Sequence, residues 1–179
     1  ILSGGDPLVT SDKFLTELVE GLGSLGHVDR LRIHSRLPIV LPDRVTPGLL
    51  DAICHPQLQT IMVVHCNHAR EVDASVARGV AAMRARGITV LNQSVLLKGI
   101  NDDPLVLVEL SERLFSAGIL PYYLHLMDKV QGAAHFDLPE QQARKLMGEV
   151  AARLPGYLVP RLVREDRGAA SKTTLEILY

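Results

Sequence analysis

With 179 residues the chain is long enough for one domain with a core of its own. Apolar residues make up 47% of it, which argues against a disordered chain, and a net charge of −1 with 22% charged residues argues against a broad electrostatic grip on nucleic acid, leaving room only for a local basic patch. No window approaches the ~20 apolar residues of a membrane span, no basic leader precedes an apolar run, and two cysteines make no disulfide framework, so a reducing, cytoplasmic setting with neither membrane nor nucleic-acid partners is expected.

In chain order, a stub, Ile1-Leu2-Ser3, runs into Gly4-Gly5-Asp6. Residues 12–25 have helical period and place Phe14, Leu15, Leu18, Leu22 and Leu25 on one side, with Thr10, Ser11 or Asp12 as N-cap. The apolar run LRIHS at 31–35 reads as a strand, and Thr46-Pro47 opens a helix. A strand LQTIMVVH at 58–65 leads to a helix over DASVARGVAAMRARG, which stacks Val76, Val80 and Met83. The strand ITVLNQSVLL at 88–97 is followed by a helix from Asp103-Pro104. The strand ILPYYLHLM at 119–127 is followed by a helix from Pro139-Glu140, and YLVPRLV at 157–163 reads as the last strand. Gly87, Gly118 and Gly156 each stand just before an apolar run, where the residue that ends a helix sits.

The strand starts fall mostly about 30 residues apart, the size of a strand–helix unit. Several are apolar at consecutive positions, as parallel strands are when both faces are covered. The fold class is therefore α/β with parallel strands. A closed eight-stranded barrel takes about 250 residues, so five strands and a stub make a part-barrel or an open sheet. In either, functional side chains belong at the C-terminal ends of the strands.

Those ends carry polar residues repeatedly: Gly4-Gly5-Asp6, His34-Ser35-Arg36, His65-Cys66-Asn67-His68 with Glu71 beyond, Asn92-Gln93-Ser94, Tyr122, Tyr123 and His125 with Asp128-Lys129, Arg164-Glu165-Asp166, and GAASKTT at 168–174. They make either a ligand site or a set of loop residues bonded to one another. Gly4-Gly5 lets a backbone come close to a ligand and Asp6 adds an acceptor, or the three make a tight turn. Ser35-Arg36 reads as a phosphate or carboxylate clamp, or Arg36 makes a surface ion pair. His65 and Cys66 point to opposite faces if the strand continues, so no metal site is expected; His65 faces a ligand and His68 caps the loop or the next helix. Lys172, among small residues, is either an imine-forming lysine or a tail lysine. Neither GxGxxG nor a Walker motif is present.

Taken together, SGGDPL at 3–8, RIHSRLPIVLPDRVTP at 32–47, HCNHAREV at 65–72, LNQSVLLKGIND at 91–102, PYYLHLMDKVQGAAHF at 121–136 and SKTT at 171–174 resemble the lysine 2,3-aminomutase family of radical S-adenosylmethionine (SAM) enzymes. RIHSRLPIV and DKVQGAAHF point to the branch that makes (R)-β-lysine for elongation factor P. The resemblance implies an incomplete (β/α) TIM-like barrel of the radical SAM type. It implies that Gly4, Gly5 and Asp6 lie against the methionyl part of SAM, that His65 and Gln93 are near the same cofactor, and that Ser35 and Arg36 are near the phosphate of pyridoxal 5′-phosphate (PLP). Lys172 matches the lysine that holds PLP as an aldimine. Asp128 and Glu165 match two acids that hold the side-chain ammonium of substrate lysine, with Glu165 one methylene longer than the family's usual acid. The implied chemistry is radical migration of the lysine amine from C2 to C3, with a [4Fe–4S] cluster cleaving SAM.

The family's Cys-x-x-x-Cys-x-x-Cys loop, which precedes the GGD element, does not occur here. The expectation is a C-terminal portion that begins in the second barrel strand and lacks the first, with the cluster ligands outside this chain and no activity of its own. Residues 1–155 are then the partial barrel core and 156–179 the final strand and PLP-lysine segment. The partners implied are free L-lysine, a separate ligase and elongation factor P, and an uncovered sheet edge invites a homodimer. Two other readings remain open: a Schiff-base barrel enzyme without iron, and a non-catalytic βα binding domain.

Overall fold

The computed structural model of the chain describes residues 1–128, 132, 134–166, 168–169 and 171–178. Lys129, part of the DKVQGAAHF stretch and Ala170 of GAASKTT lie outside the described residues. The α-helices are α1 (Asp12–Gly23), α2 (Leu37–Val40), α3 (Pro47–Ile53), α4 (Ala74–Ala85), α5 (Pro104–Ser116) and α6 (Glu140–Ala151). The strands are β1 (Arg30–Ser35), β2 (Gln59–Val64), β3 (Thr89–Val95), β4 (Leu120–His125), β5 (Arg161–Arg164) and β6 (Thr173–Thr174), in the order β1-β2-β3-β4-β5-β6. The sheet is open, with β1 and β6 as its ends. Among the described residues no helix is long and apolar enough to cross a membrane.

Two compact units divide the chain. The first holds residues 1–65, 71–91 and 117–119, and the second holds 66–70, 92–116 and 120–179. In the first, β1 and β2 pair in parallel from Arg30↔Gln59 to Ser35↔Val64. Leu2 forms a single parallel bridge to Ile33, donating to the Arg32 carbonyl at 2.8 Å and accepting from His34 N at 3.0 Å. The stub thus lies along β1. Met62, Val63 and Val64 are all buried, the two-sided cover that their consecutive apolar run predicts. β1 instead alternates: Leu31, Ile33 and Ser35 are buried while Arg32 and His34 are half-buried. Its second face is therefore only partly covered.

Helix starts follow local chemistry. Ser11 accepts from Phe14 N to cap α1, Thr46 accepts from Leu49 N to cap α3, and Asp73 accepts from Ser75 N and Val76 N to cap α4. The buried residues of α1 are Leu15 and Val19, whereas Phe14 and Leu25 are exposed. The face is rotated from the expected one because Val19, not Phe14, meets the core beside Leu15. Val76, Val80 and Met83 of α4 are buried, as their spacing predicts. Full burial of each such side chain contributes about 1.5–3 kcal/mol.

The second unit is built on a core of Leu96, Leu107, Leu124, Ala143, Leu146, Met147, Val150 and Leu162, with Leu175 from the tail. β4 and β5 pair in parallel, Tyr123↔Arg161 to His125↔Val163. Three expectations need correction. Residues 156–158 form a 3₁₀ turn, so β5 starts only at Arg161 and Gly156 opens that turn rather than ending a helix. The sheet is not wholly parallel: the chain reverses after β5, and β6 returns antiparallel to it with Val163↔Thr174 and Arg164↔Thr173. Lys172, open between an imine lysine and a tail lysine in the sequence, therefore adjoins a strand. A two-residue strand held by neighbours carries no periodic signal that a sequence could show.

Candidate functional site

In the first unit the GGD turn and the end of β1 are one construction. Gly4 and Gly5 have φ of 92° and 57°, a left-handed stretch that L side chains resist. A Cβ at either would meet nothing within 4 Å, so backbone conformation and not crowding calls for glycine here. The turn delivers Asp6 to β1. Asp6 Oδ1 accepts from Leu8 N at 3.0 Å and from the Ser35 hydroxyl at 2.7 Å, and Oδ2 accepts from Arg36 N at 2.8 Å. Ser35, 1% exposed, in turn accepts from the N–H of Leu37, the first residue of α2, at 3.1 Å. The carboxylate keeps one acceptor position beyond these bonds. The Arg36 guanidinium is exposed and meets Glu71 at 3.3 Å.

His65 follows β2 in the same unit. Its ring lies edge-on to that of His34, centroids 6.0 Å apart. Burial pushes the His65 imidazole below its ordinary pKa, opposed by the Asp6 carboxylate and reinforced by Arg36. It is neutral at pH 7, with one ring nitrogen as donor and the other as acceptor. Its Nε2 is buried and has no hydrogen-bond partner among the described residues. A buried polar atom left so costs about 1–3 kcal/mol, which a ligand group would offset. Structure thus brings Asp6, Ser35, Arg36 and His65 to one end of the first unit, beside Gly4 and Gly5.

In the second unit Cys66 is buried, and its Sγ donates to the His68 carbonyl at 3.3 Å. His68 Nδ1 accepts from Arg70 N at 3.2 Å, the capping role expected of it. Asn92, on β3, grips the Cys66 peptide: Oδ1 accepts from Cys66 N at 2.9 Å and Nδ2 donates to Cys66 O at 3.0 Å. Ser94 donates to the same carbonyl at 2.8 Å. Between them on the strand, Gln93 faces the other way, and its Oε1 is buried without a partner among the described residues. No group of three or more His, Cys, Asp or Glu side chains able to hold a metal ion occurs among the described residues.

The same unit holds an acidic cleft of ≈ 940 Å³. Among the described residues, Asp128, Asp137, Glu140, Glu165 and Asp166 line it together with one cation, Arg164, and with Leu126, Met127, Leu138 and Pro139. Asp128 and Glu165 are both exposed and share this cleft. The antiparallel return of β6 explains where Lys172 goes. One step beyond the Arg164↔Thr173 pair, Lys172 meets Glu165, and its ammonium bonds to the Glu165 carboxylate. That bond holds the Glu165 carboxyl below the usual carboxylate range; burial opposes it, and the charges of Lys172 and His125 add to it. Lys172 Nζ also lies 5.9 Å from the centroid of the Tyr123 ring, which stacks with Tyr122 at 3.8 Å and meets His125 edge-on at 5.8 Å.

A clasp secures this placement. Thr173 donates to Asp166 Oδ2 at 2.7 Å, Arg164 Nε donates to Asp166 Oδ1 at 2.8 Å, and the Arg164 guanidinium bonds Glu140 at the start of α6. Sequence reasoning missed Asp137 and Glu140 as cleft residues. Glu140 follows Pro139 at a helix start, so its charge reads as ordinary first-turn chemistry.

No family model matches the chain. It is 50% identical over 177 residues to "L-lysine 2,3-aminomutase" of Escherichia coli (strain K12), covering 99% of this chain and 52% of that protein. It is 48% identical over 173 residues to the protein of the same name from Haemophilus influenzae, with 97% and 51% covered, and 35% identical over 175 residues to that of Clostridium subterminale, with 97% and 41% covered. The chain spans about half the length of the first two of these curated relatives. Over nearly its whole length, then, the chain is homologous to proteins named L-lysine 2,3-aminomutase, as its motifs indicate.

Proposed function

We propose that the protein is an isomerase of the lysine 2,3-aminomutase type, converting L-α-lysine to (R)-β-lysine. The observation that carries this reading is the acidic cleft in which Asp128 and Glu165 lie together, with an amine nucleophile, Lys172, bonded to one of them. Among the described residues of the lining, five carboxylates stand against one guanidinium, which favours a cationic ligand, and the side-chain ammonium of lysine is such a cation. The relatives' name supplies the substrate and the reaction.

Lys172 fits PLP. Its amine is held in place by the Glu165 carboxylate and stands beside the Tyr123 ring. When bound, PLP supplies an aldehyde that forms an imine with an amine and a conjugated ring that spreads an unpaired electron. The chain's residues orient the reactants: Asp128 and Glu165 hold the distal ammonium, and the Thr173–Asp166–Arg164 clasp keeps Lys172 in reach. In the first unit the Nε2 of His65, which has no hydrogen-bond partner among the described residues, fits a polar group of SAM, and Gly4-Gly5 leaves open space at its backbone. A [4Fe–4S] cluster does not fit this chain. The sequence has two cysteines, and the Cys66 thiol is buried against the His68 carbonyl.

Further elements of the proposal are an incomplete (β/α) barrel, with residues 1–155 as its core and 156–179 as the last strand and lysine segment, a cytoplasmic setting and pairing with a second copy. The stretches RIHSRLPIV and DKVQGAAHF support the proposal that a separate ligase attaches the product to elongation factor P. The test is an anaerobic assay of the protein at its full natural length with L-lysine, SAM, PLP and a reductant. β-Lysine is the expected product. Its absence while SAM is cleaved would remove lysine as the substrate, and product formed without SAM would favour a Schiff-base enzyme that uses no iron.

A further inference from the structure

Glu165 is asked to hold two cations. It lines the acidic cleft, and it is bonded to the ammonium of Lys172. The side chain is about half exposed, at 52%, so neither partner excludes the other by burial. Asp128, the other cleft acid assigned to the same ligand, is exposed. The clasp of Thr173 on Asp166, with β6 paired to β5, sets Lys172 opposite Glu165.

We infer that Lys172 is a built-in competitor for the cleft: its ammonium occupies Glu165, and a cationic ligand takes full hold of that carboxylate only when the Lys172 nitrogen is drawn away. This rests on the reading of the cleft as the site of the ligand's ammonium. Two charge states of the site follow. With Lys172 on Glu165, the cleft offers a ligand Asp128 without its second acid. With the Lys172 nitrogen engaged elsewhere, both acids are open. Engagement of Lys172 and tight grip on the substrate cation are thereby coupled through one carboxylate, with no movement of the backbone.

The experiment measures the affinity of L-lysine for the protein by NMR titration, with no carbonyl compound added and with norleucine, which lacks the side-chain ammonium, as the control. Lys172→Met is expected to bind L-lysine about twofold to fivefold tighter than the unaltered protein, the range that loss of one exposed ion-pair competitor allows. Lys172→Met combined with Glu165→Gln is expected to bind no tighter than Glu165→Gln alone, and norleucine to respond to neither change. Lys172→Gln serves as a second variant, and thermal unfolding shows that each remains folded. If Glu165→Gln weakens binding but neither Lys172 variant tightens it, the competition is refuted and the cleft reading stands. If L-lysine binding ignores both Glu165→Gln and Asp128→Asn, or is absent in every variant, the cleft reading falls and the inference with it.

Discussion

The hydroxyl of Ser35 donates to Oδ1 of Asp6 at 2.7 Å across 29 positions of sequence. Together with the bond from Arg36 N to Oδ2, it fastens the loop that follows the stub to the end of β1. Asp6 therefore works first as a positioning residue. Asp6→Ala removes the acceptor for the buried Ser35 hydroxyl and for two backbone N–H groups. A loss of about 1–3 kcal/mol is expected, read as a lower urea midpoint at unchanged slope. Asp6→Asn, which keeps one carbonyl acceptor, loses less. Equal midpoints for Asp6→Ala and the unaltered protein would show that these bonds carry no stability.

Much of the fold is legible in the sequence because its signals are local. Pro47 after Thr46 and Asp73 ahead of Ala74 mark helix starts through a hydrogen bond spanning three residues. Met62-Val63-Val64 reads as a covered strand from the run alone. The candidate site is legible only in part. Strand-end position points to His65, Gln93 and Glu165, but nothing local shows that Asp6 spends its carboxylate on Ser35 and Arg36, or that Thr173 pairs with Arg164. Those are long-range pairings, and β6 exists only because of them. The helical period of α1 likewise admits a face through Phe14 or one through Val19, and only the packing decides.

Burial depresses the pKa of His65 in the folded chain relative to the unfolded one. The unfolded state therefore binds more protons as the pH falls below the ordinary histidine range, and stability declines with it. The contribution is complete above the unfolded pKa, about 6.5, and is lost as the pH falls through the lower folded value. Urea midpoints at pH 7.5 and 5.5 measure this, with His65→Gln expected to show a shallower decline than the unaltered protein. A His65 Cε1 proton that titrates above pH 6.5 would contradict the assignment.

Lys172 adjoins a strand and a carboxylate, which makes it an addressable amine. Incubation with PLP followed by sodium borohydride is expected to leave a pyridoxyl label on Lys172, located by peptide mass spectrometry, and Lys172→Ala to lose the label. Asp166→Ala, which breaks the bonds to Thr173 and Arg164, is expected to speed amide exchange at Leu175, whose N–H bonds to Leu162 O at 2.9 Å, with little change in global unfolding. A label spread evenly over the lysines would deny Lys172 its place. Unaltered exchange at Leu175 would deny the clasp its role.

Asn101 is fully buried at 0% exposure, and its amide is spent entirely on backbone. Oδ1 accepts from Leu97 N at 2.7 Å, while Nδ2 donates to Asn67 O at 2.9 Å and to Val95 O at 3.0 Å. Asn67 in turn accepts from Val95 N at 2.9 Å, so two asparagines tie residues 66–70 to β3 inside the second unit. Asn101→Ala strands one buried donor and two carbonyls, for a loss of about 2–4 kcal/mol. Asn101→Leu, similar in size and unable to bond, loses at least as much, because the backbone groups remain unpaired. Asn101→Asp separates the two halves of the amide: it can still accept from Leu97 N but sets a carboxylate against the Asn67 and Val95 carbonyls, so it is expected to be the least stable of the three at pH 7 and to recover as acid protonates it. A urea midpoint for Asn101→Asp that rises between pH 7 and pH 5 while that of Asn101→Ala does not would show that the two donor bonds, and not the volume of the side chain, fix this loop.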